Sequence, residues 1–171
     1  MAVLMENTSN TPHAADFRNA MSLLAGGVCV ITTDGEAGLA GFTASAVTAV
    51  TDTPPTMLVC MNRSSYVYRS FVHNGVLCIN FLSSTQQALS ELFSNRDITA
   101  EQRFSQVPWQ TLVTGAPALD RALVSLDGEI IDMHEVGTHT IFIVKISEIH
   151  VRSNISDFGG LAYFNRRYCI V

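Results

Sequence analysis

Apolar positions along the chain repeat with two periods, and the shorter one dominates. Val28-Cys29-Val30-Ile31-Thr32 is a continuous, largely β-branched run, and Gly41, Thr43, Ser45 and Val47 then alternate with Phe42, Ala44, Ala46 and Thr48. A period of two marks a strand, whose successive side chains point to opposite faces. Asp34-Gly35, with Gly38 close by, has the turn chemistry for a hairpin between these strands. Residues 56–61, 76–82, 122–131, 138–151 and 161–164 read as further strands, and the 138–151 segment is long enough to bend round a barrel. The helical period is confined to short pieces. Phe17, Ala20, Met21 and Leu24 recur at helical spacing behind Asp16, a candidate N-cap, and Gly26-Gly27 stops them, so this helix is expected to pack by one apolar stripe. Residues 66–71 predict a second helix, ended near Asn74-Gly75; a third starts at Thr85 with Leu89, Leu92 and Phe93, and 98–104 gives a fourth piece. Residues 109–117 read as loop and edge. Six or more strands with a few peripheral helices make a mainly β chain. The strands do not alternate regularly with helices, and neither GxGxxG nor a Walker motif occurs, which argues against a Rossmann sheet. There is no internal repeat.

Composition adds limits to this picture. The 171 residues suffice for one domain closed around a real core. The polar first residues read as a flexible arm over 1–15, leaving 16–171 as the folded domain. At 47% hydrophobic and 15% charged, the chain carries more apolar side chains than one subunit easily hides, which predicts a homodimer. A net charge of −5 leaves no footprint for nucleic acid or an anionic membrane surface. No apolar run reaches about eighteen residues and no signal-peptide pattern opens the sequence, so the expected location is cytoplasmic. Cys29, Cys60, Cys78 and Cys169 lie far apart, forming neither a metal knuckle nor a redox pair, and read as buried thiols.

Candidate chemistry concentrates between Gly41 and Ser65. Period two puts the hydroxyls of Thr43 and Ser45 on one face, small enough to receive a flat ring. Asp52-Thr53-Pro54-Pro55 forces a turn, because proline fixes its own φ and excludes its predecessor from the helical region. The next strand ends in Asn62-Arg63-Ser64-Ser65, a cation beside an amide, two hydroxyls and backbone N–H groups, the chemistry that a phosphate requires. Plain core packing of small residues, and a helix start with Ser64 or Ser65 as N-cap, account for the same residues without a ligand. Asn80 sits among apolar neighbours, where its amide needs hydrogen-bond partners or a ligand.

The segments Phe17-Arg18-Asn19-Ala20-Met21, the run from Ala40 to Val47 followed by Val50 to Pro55, and the run from Val59 to Ser65 occur in a collinear order. They continue with Leu77 to Leu82, Glu101-Gln102-Arg103-Phe104 before Trp109-Gln110-Thr111, and Val136 to Thr140 before Tyr163 to Tyr168. This set resembles the short-chain flavin reductases, in particular the reductase components paired with 4-hydroxyphenylacetate 3-monooxygenase and with the pyrimidine-degradation monooxygenase. The resemblance implies an FMN-binding split β-barrel of Greek-key type, usually a homodimer, in which NADH or NADPH reduces FMN or FAD. The reduced flavin would then diffuse to a partner monooxygenase. A reductase of a cobalt corrinoid, or a flavin-binding module without turnover, would carry the same features. Carried over residue by residue, the resemblance assigns Thr43, Ala44, Ser45, Ala46 and Val47 to the ring edge and ribityl chain, and Asn62, Arg63, Ser64 and Ser65 to the phosphate. Gly137-Thr138-His139 matches a Gly-Asp-His motif with threonine in place of aspartate, which makes His139 the candidate catalytic group, one that could hydrogen-bond a carboxamide or offset charge on reduced flavin. Gly137, Tyr163, Arg166 and Asn80 complete the expected cofactor-binding set, with no metal.

Overall fold

The computed structural model describes residues 11–171. Four helices and twelve strands follow in the order α1 (Ala14–Met21), β1 (Gly26–Gly27), β2 (Cys29–Thr33), β3 (Ala40–Ala44), β4 (Val47–Asp52), β5 (Pro55–Asn62), α2 (Tyr68–Asn74) and β6 (Val76–Phe81). Then come α3 (Gln87–Ser94), α4 (Ala100–Phe104), β7 (Trp109–Thr111), β8 (Pro117–Leu119), β9 (Val124–Val136), β10 (His139–Val151), a single 3₁₀ turn at Ile155–Asp157, β11 (Leu161–Phe164) and β12 (Arg167–Ile170).

Seven strands form one antiparallel sheet in the order β3-β2-β6-β9-β10-β5-β4. β3 and β4 lie at its opposite edges yet are joined only through Ser45 and Ala46. Two linking residues span about 10 Å at most between Ala44 and Val47. The sheet must therefore curl until its edges nearly meet, and the result is a barrel split along the β3/β4 seam. A three-stranded sheet, β1-β11-β12, lies beside it, and β7 pairs with β8.

The barrel interior holds Ile31, Val59, Met61, Leu77, Ile79, Phe142 and Val144, with Phe71 of α2 packed into it. A second core, of Val30, Leu82, Phe93, Phe104, Leu119 and Leu161, fills the space between the outer face of β2 and helices α3 and α4. β2 is buried along its whole length, Ile31 serving one core and Val30 the other, and this explains why its sequence is continuously apolar instead of alternating.

Local details follow the chain chemistry with some corrections. Gly75, at φ +67°, ends α2 in the left-handed conformation open to glycine. Thr99 caps α4 in a reciprocal capping box with Gln102. α1 starts earlier than Asp16 would place it: His13 is the N-cap, its ring accepting the Ala15 N–H, so the helix takes residues from the expected arm, whose residues 1–10 lie outside the described ones. No residue of α1 is buried, against the expectation of a packed stripe. Residues 109–117 contribute β7 and the start of β8, β9 runs on to Val136, and β12 adds a strand after 161–164.

Asn80 is the clearest correction. It is fully buried in β6 and its amide is spent within the protein: Nδ2 donates to Val30 O and Thr32 Oγ1, both at 3.1 Å, while Oδ1 accepts from Leu119 N and Ser125 Oγ, both at 2.8 Å. The residue knits four segments together and faces no ligand cleft.

Candidate active site

The period-two reading of residues 41–47 treats them as one strand, and the structure breaks it. β3 pairs with β2 through Ala44, the chain then crosses the barrel seam at Ser45-Ala46, and β4 pairs with β5 from Val47. Ala46 keeps one tie to β5, its carbonyl accepting the Cys60 N–H at 3.0 Å. The backbone N–H groups of Ser45 and Ala46 donate to no protein group among the described residues. Crossing from one edge to the other strips these two amides of ladder partners, and because Ser45 and Ala46 are both exposed, their N–H groups are open to a ligand or to water.

They border a cleft of about 320 Å³ lined by Phe42, Thr43, Ala44, Ser45 and Ala46 on the seam, by Cys60, Met61 and Asn62 at the end of β5 with Ser65 and Tyr66 just beyond it, by Phe93 and Ser94 at the end of α3 with Arg96 after it, and by His139. A second lobe of about 290 Å³ shares Thr43, Ala44, Ser45 and Ser94 and adds Val28, Ser90, Tyr163 and Tyr168. Thr43 is half-buried and its hydroxyl donates to Ser90 O at 2.6 Å, tying α3 to the seam. Tyr168 and Ser90 share a hydroxyl contact at 2.9 Å. Ser45 stands against β1, where a Cβ on Gly26 would come within 3.2 Å of it.

The expected residues divide cleanly. Thr43, Ala44, Ser45, Ala46, Asn62, Ser65 and His139 meet at one cleft, and Tyr163 lines its second lobe. Val47 instead packs against the barrel core, because it is the first residue of β4 and the seam crossing reverses the face that simple alternation predicts. Arg63 and Ser64 also leave the cleft. Arg63 pairs with Glu135 and donates to Gly137 O, each at 2.5 Å, fastening the β5 end to the β9–β10 turn. Asn62 Oδ1 accepts both the N–H and the hydroxyl of Ser64, at 2.9 and 2.8 Å, and Asn62 O accepts the Ser65 N–H at 3.0 Å. The turn thus consumes its own amide donors. Neither Ser64 nor Ser65 caps α2, whose N-cap is Val67.

Gly137, at φ +55°, forms the β9–β10 turn and contributes conformation and a carbonyl, not a cleft wall. Its neighbour Thr138 fixes His139, with Thr138 Oγ1 and His139 Nδ1 2.9 Å apart. Arg166, in the β11–β12 turn, reaches Asn19 Oδ1 at 2.6 Å and belongs to the α1 anchorage.

The cation of the cleft is Arg96, which the sequence reading missed. It sits in a short α3–α4 connection whose composition differs little from any polar loop, and only the packing of α3 on β3 brings it to the seam. Phe93 on α3, Tyr66 ahead of α2 and Tyr168 on β12 reach the cleft only through nonlocal packing, which the sequence reading did not provide. Among the described residues no carboxylate lines either lobe, while amides, hydroxyls, an imidazole and a guanidinium do. That donor set suits a flat acceptor-rimmed ring carrying an anionic tail. Burial pushes the Cys60 thiol above its ordinary value, lifts Cys29 to about 12 and raises Cys78 as well, so none of these is a thiolate nucleophile near neutrality. Cys29 and Cys78 are the expected buried thiols; Cys60 and Cys169 are half-buried, with Cys60 open to the cleft.

Residues 21–171 match the family model of the Flavin reductase like domain. The chain belongs to the flavin reductase family. It is 50% identical over 153 residues, 90% of this chain and 78% of the relative, to FMN reductase (NADH) RutF of Pantoea ananatis. It is 45% identical over 167 residues, 98% of this chain and 94% of the relative, to FMN reductase (NADH) RutF of Agrobacterium fabrum. Among solved structures, a flavin reductase from Haemophilus somnus superposes with a TM-score of 0.88 at 45% identity, covering 94% of this chain and all of that one. Nitrilotriacetate monooxygenase component B from Mycobacterium thermoresistibile superposes at 0.85 with 25% identity, covering 92% and 86%. The split-barrel flavin reductase fold expected from the sequence is the fold observed.

Proposed function

We propose that the chain, an oxidoreductase of the flavin reductase family, uses NADH to reduce FMN in this cleft and releases the reduced flavin to a separate flavin-dependent monooxygenase of the aromatic-hydroxylating type. The observation that carries the reading is the pair of unpartnered amides at the seam, set in a cleft whose described lining holds an arginine and no carboxylate. FMN and NADH, in preference to FAD and NADPH, follow from relatives at 45–50% identity that are named for that pair. A separate oxygenase follows from the fold neighbour named as a monooxygenase component.

When bound, FMN supplies the hydride acceptor and NADH the donor, so the redox chemistry belongs to the cofactors. The chain's residues hold and orient. Ser45 and Ala46 N–H groups would hold the carbonyl edge of the ring, where electron density grows on reduction. Arg96 and Ser65 would hold the phosphate, and His139, with Nδ1 set by Thr138, would present Nε2 at the cleft mouth. Tyr163 and Tyr168, ring centroids 5.3 Å apart, wall the second lobe against the seam. The working form is a cytoplasmic homodimer; no described helix is long and apolar enough to cross a membrane.

Steady-state oxidation of NADH and NADPH with FMN, FAD and riboflavin tests this directly. NADH with FMN is expected to be fastest. Ser45→Trp, which fills the seam side of the cleft with an indole, is expected to abolish flavin-dependent NADH oxidation while thermal stability and oligomeric state persist. Unchanged turnover in that variant removes the site.

A further inference from the structure

Arg103, on α4, is only 1% exposed and pairs with no carboxylate among the described residues. A buried charge without a counter-ion must be held by neutral acceptors. Its Nη1 donates to Gly41 O on β3 at 3.1 Å, and its Nη2 donates to Asn95 O. Nε donates to no group among the described residues, and the Tyr66 ring lies over the guanidinium, its centroid 5.2 Å from Cζ.

Each contact belongs to the frame of the cleft. Gly41 precedes Thr43 on the seam strand, Asn95 lies between Ser94 and Arg96, and Tyr66 is itself a wall. Residues 94–98 are otherwise ordered only locally, Ser94 Oγ donating to Glu91 O and Asp97 N to Asn95 Oδ1. No other hydrogen bond among the described residues ties that loop to β3. The close approach depends on Gly41, where a Cβ would meet the Phe93 ring at 2.8 Å.

We propose that Arg103 is a positioning residue: by bridging the carbonyls of Gly41 and Asn95 it fixes the loop that carries Arg96, so that Arg96 selects flavins bearing a phosphate. The inference rests on the reading of the cleft as the FMN site. A planar guanidinium with several fixed donors can span two carbonyls in this way, and a lysine ammonium cannot reproduce that fork. The motif Glu101-Gln102-Arg103-Phe104 thereby acquires a role distinct from core packing.

The test compares dissociation constants for FMN and riboflavin, by flavin fluorescence at fixed ionic strength, in wild type, Arg103→Lys, Arg103→Met, Arg96→Ala and the Arg96→Ala/Arg103→Lys double variant. Losing one charge-assisted contact corresponds to a factor on the order of ten. Arg103→Lys, Arg103→Met and Arg96→Ala are each expected to weaken FMN by about that factor while riboflavin changes by about two-fold or less. The double variant is expected to be no weaker than either single one, since the two residues act through one contact. Equal losses for FMN and riboflavin, additive losses in the double variant, or wild-type behaviour of Arg103→Lys overturns the proposal. Should the Arg103 variants lose their far-UV dichroism, Arg96→Ala decides alone, because Arg96 is exposed; a retained preference for FMN in that variant refutes the scheme. A wild type that binds neither flavin defeats the cleft reading, whereas one that binds both equally defeats only the role given to Arg96 and Arg103.

Discussion

Single residues show where sequence logic stops. The sequence demands that Asn80 be satisfied in an apolar strand, and it is, but whether by protein or ligand depends on Val30, Thr32, Leu119 and Ser125, which come from other strands. Asp127 poses the same problem more sharply. In Ser125-Leu126-Asp127-Gly128 alternation alone leaves open which face the carboxylate takes, and it lies fully buried on β9, accepting the Thr114 N–H at 2.7 Å and the Thr114 hydroxyl at 2.5 Å. Burial raises its pKa above the ordinary 3.8, Thr114's donors oppose that rise, and the charge of Glu148 adds to it. A carboxyl whose folded pKa exceeds its unfolded one holds its proton more tightly when folded. Its contribution to stability therefore declines as pH rises from the unfolded value through the folded one, and the cost of the buried charge is complete at neutrality. Asp127→Asn removes the charge and keeps an oxygen for Thr114. In urea unfolding across about pH 3 to 7, wild type is expected to lose stability relative to this variant as pH rises; a relative gain contradicts the assignment.

At the scale of elements, strands and their turns were legible because period-two alternation, Asp-Gly and Pro-Pro are local signals. The seam was not. Residues 41–47 alternate identically whether they stay in one strand or pass from one sheet edge to the other, and the switch is decided by nonlocal partners, β2 for Ala44 and β5 for Val47. That switch frees the amides of Ser45 and Ala46 and sets Cys60 directly beside the crossing through its bond to Ala46 O. It also explains why Thr43, Ser45 and Ala46 line the cleft while Val47 turns to the barrel core. Arg63 failed for a related reason: its pairing with Glu135 depends on the β9–β10 hairpin folding back beside β5. Cys60, half-buried with a raised pKa, reports on the seam. Its modification by a maleimide at pH 8 is expected to be slow and to slow further, by about ten-fold, when FMN occupies the cleft, a magnitude that corresponds to about 1.4 kcal/mol of protection. Mass-spectrometric mapping that finds Cys60 labelled at one rate with and without FMN would remove the ligand from this wall.

For the whole molecule the informative failure is α1. Phe17, Ala20, Met21 and Leu24 have the spacing of a packed stripe, yet Phe17 is 60% exposed and Leu24 68%. Asn165 N donates to Ser22 O at 2.6 Å and Arg166 reaches Asn19, so the β11–β12 turn fixes where α1 lies while leaving its apolar residues uncovered. Ile170 and Val171, at 71% and 77% exposed, add to the uncovered apolar surface. In the proposed homodimer a second copy would cover the bare Phe, Met and Leu side chains with an equivalent helix, which would account for the compositional excess of apolar residues. Light scattering of the wild type at tens of micromolar is expected to give twice the chain mass. Phe17→Glu with Leu24→Glu is expected to shift that mass toward the monomer with far-UV dichroism unchanged, since neither side chain is buried within its own subunit. A wild type of single chain mass, or a double variant that still pairs as tightly, would mean that this stripe faces solvent and that the excess apolar surface serves another partner.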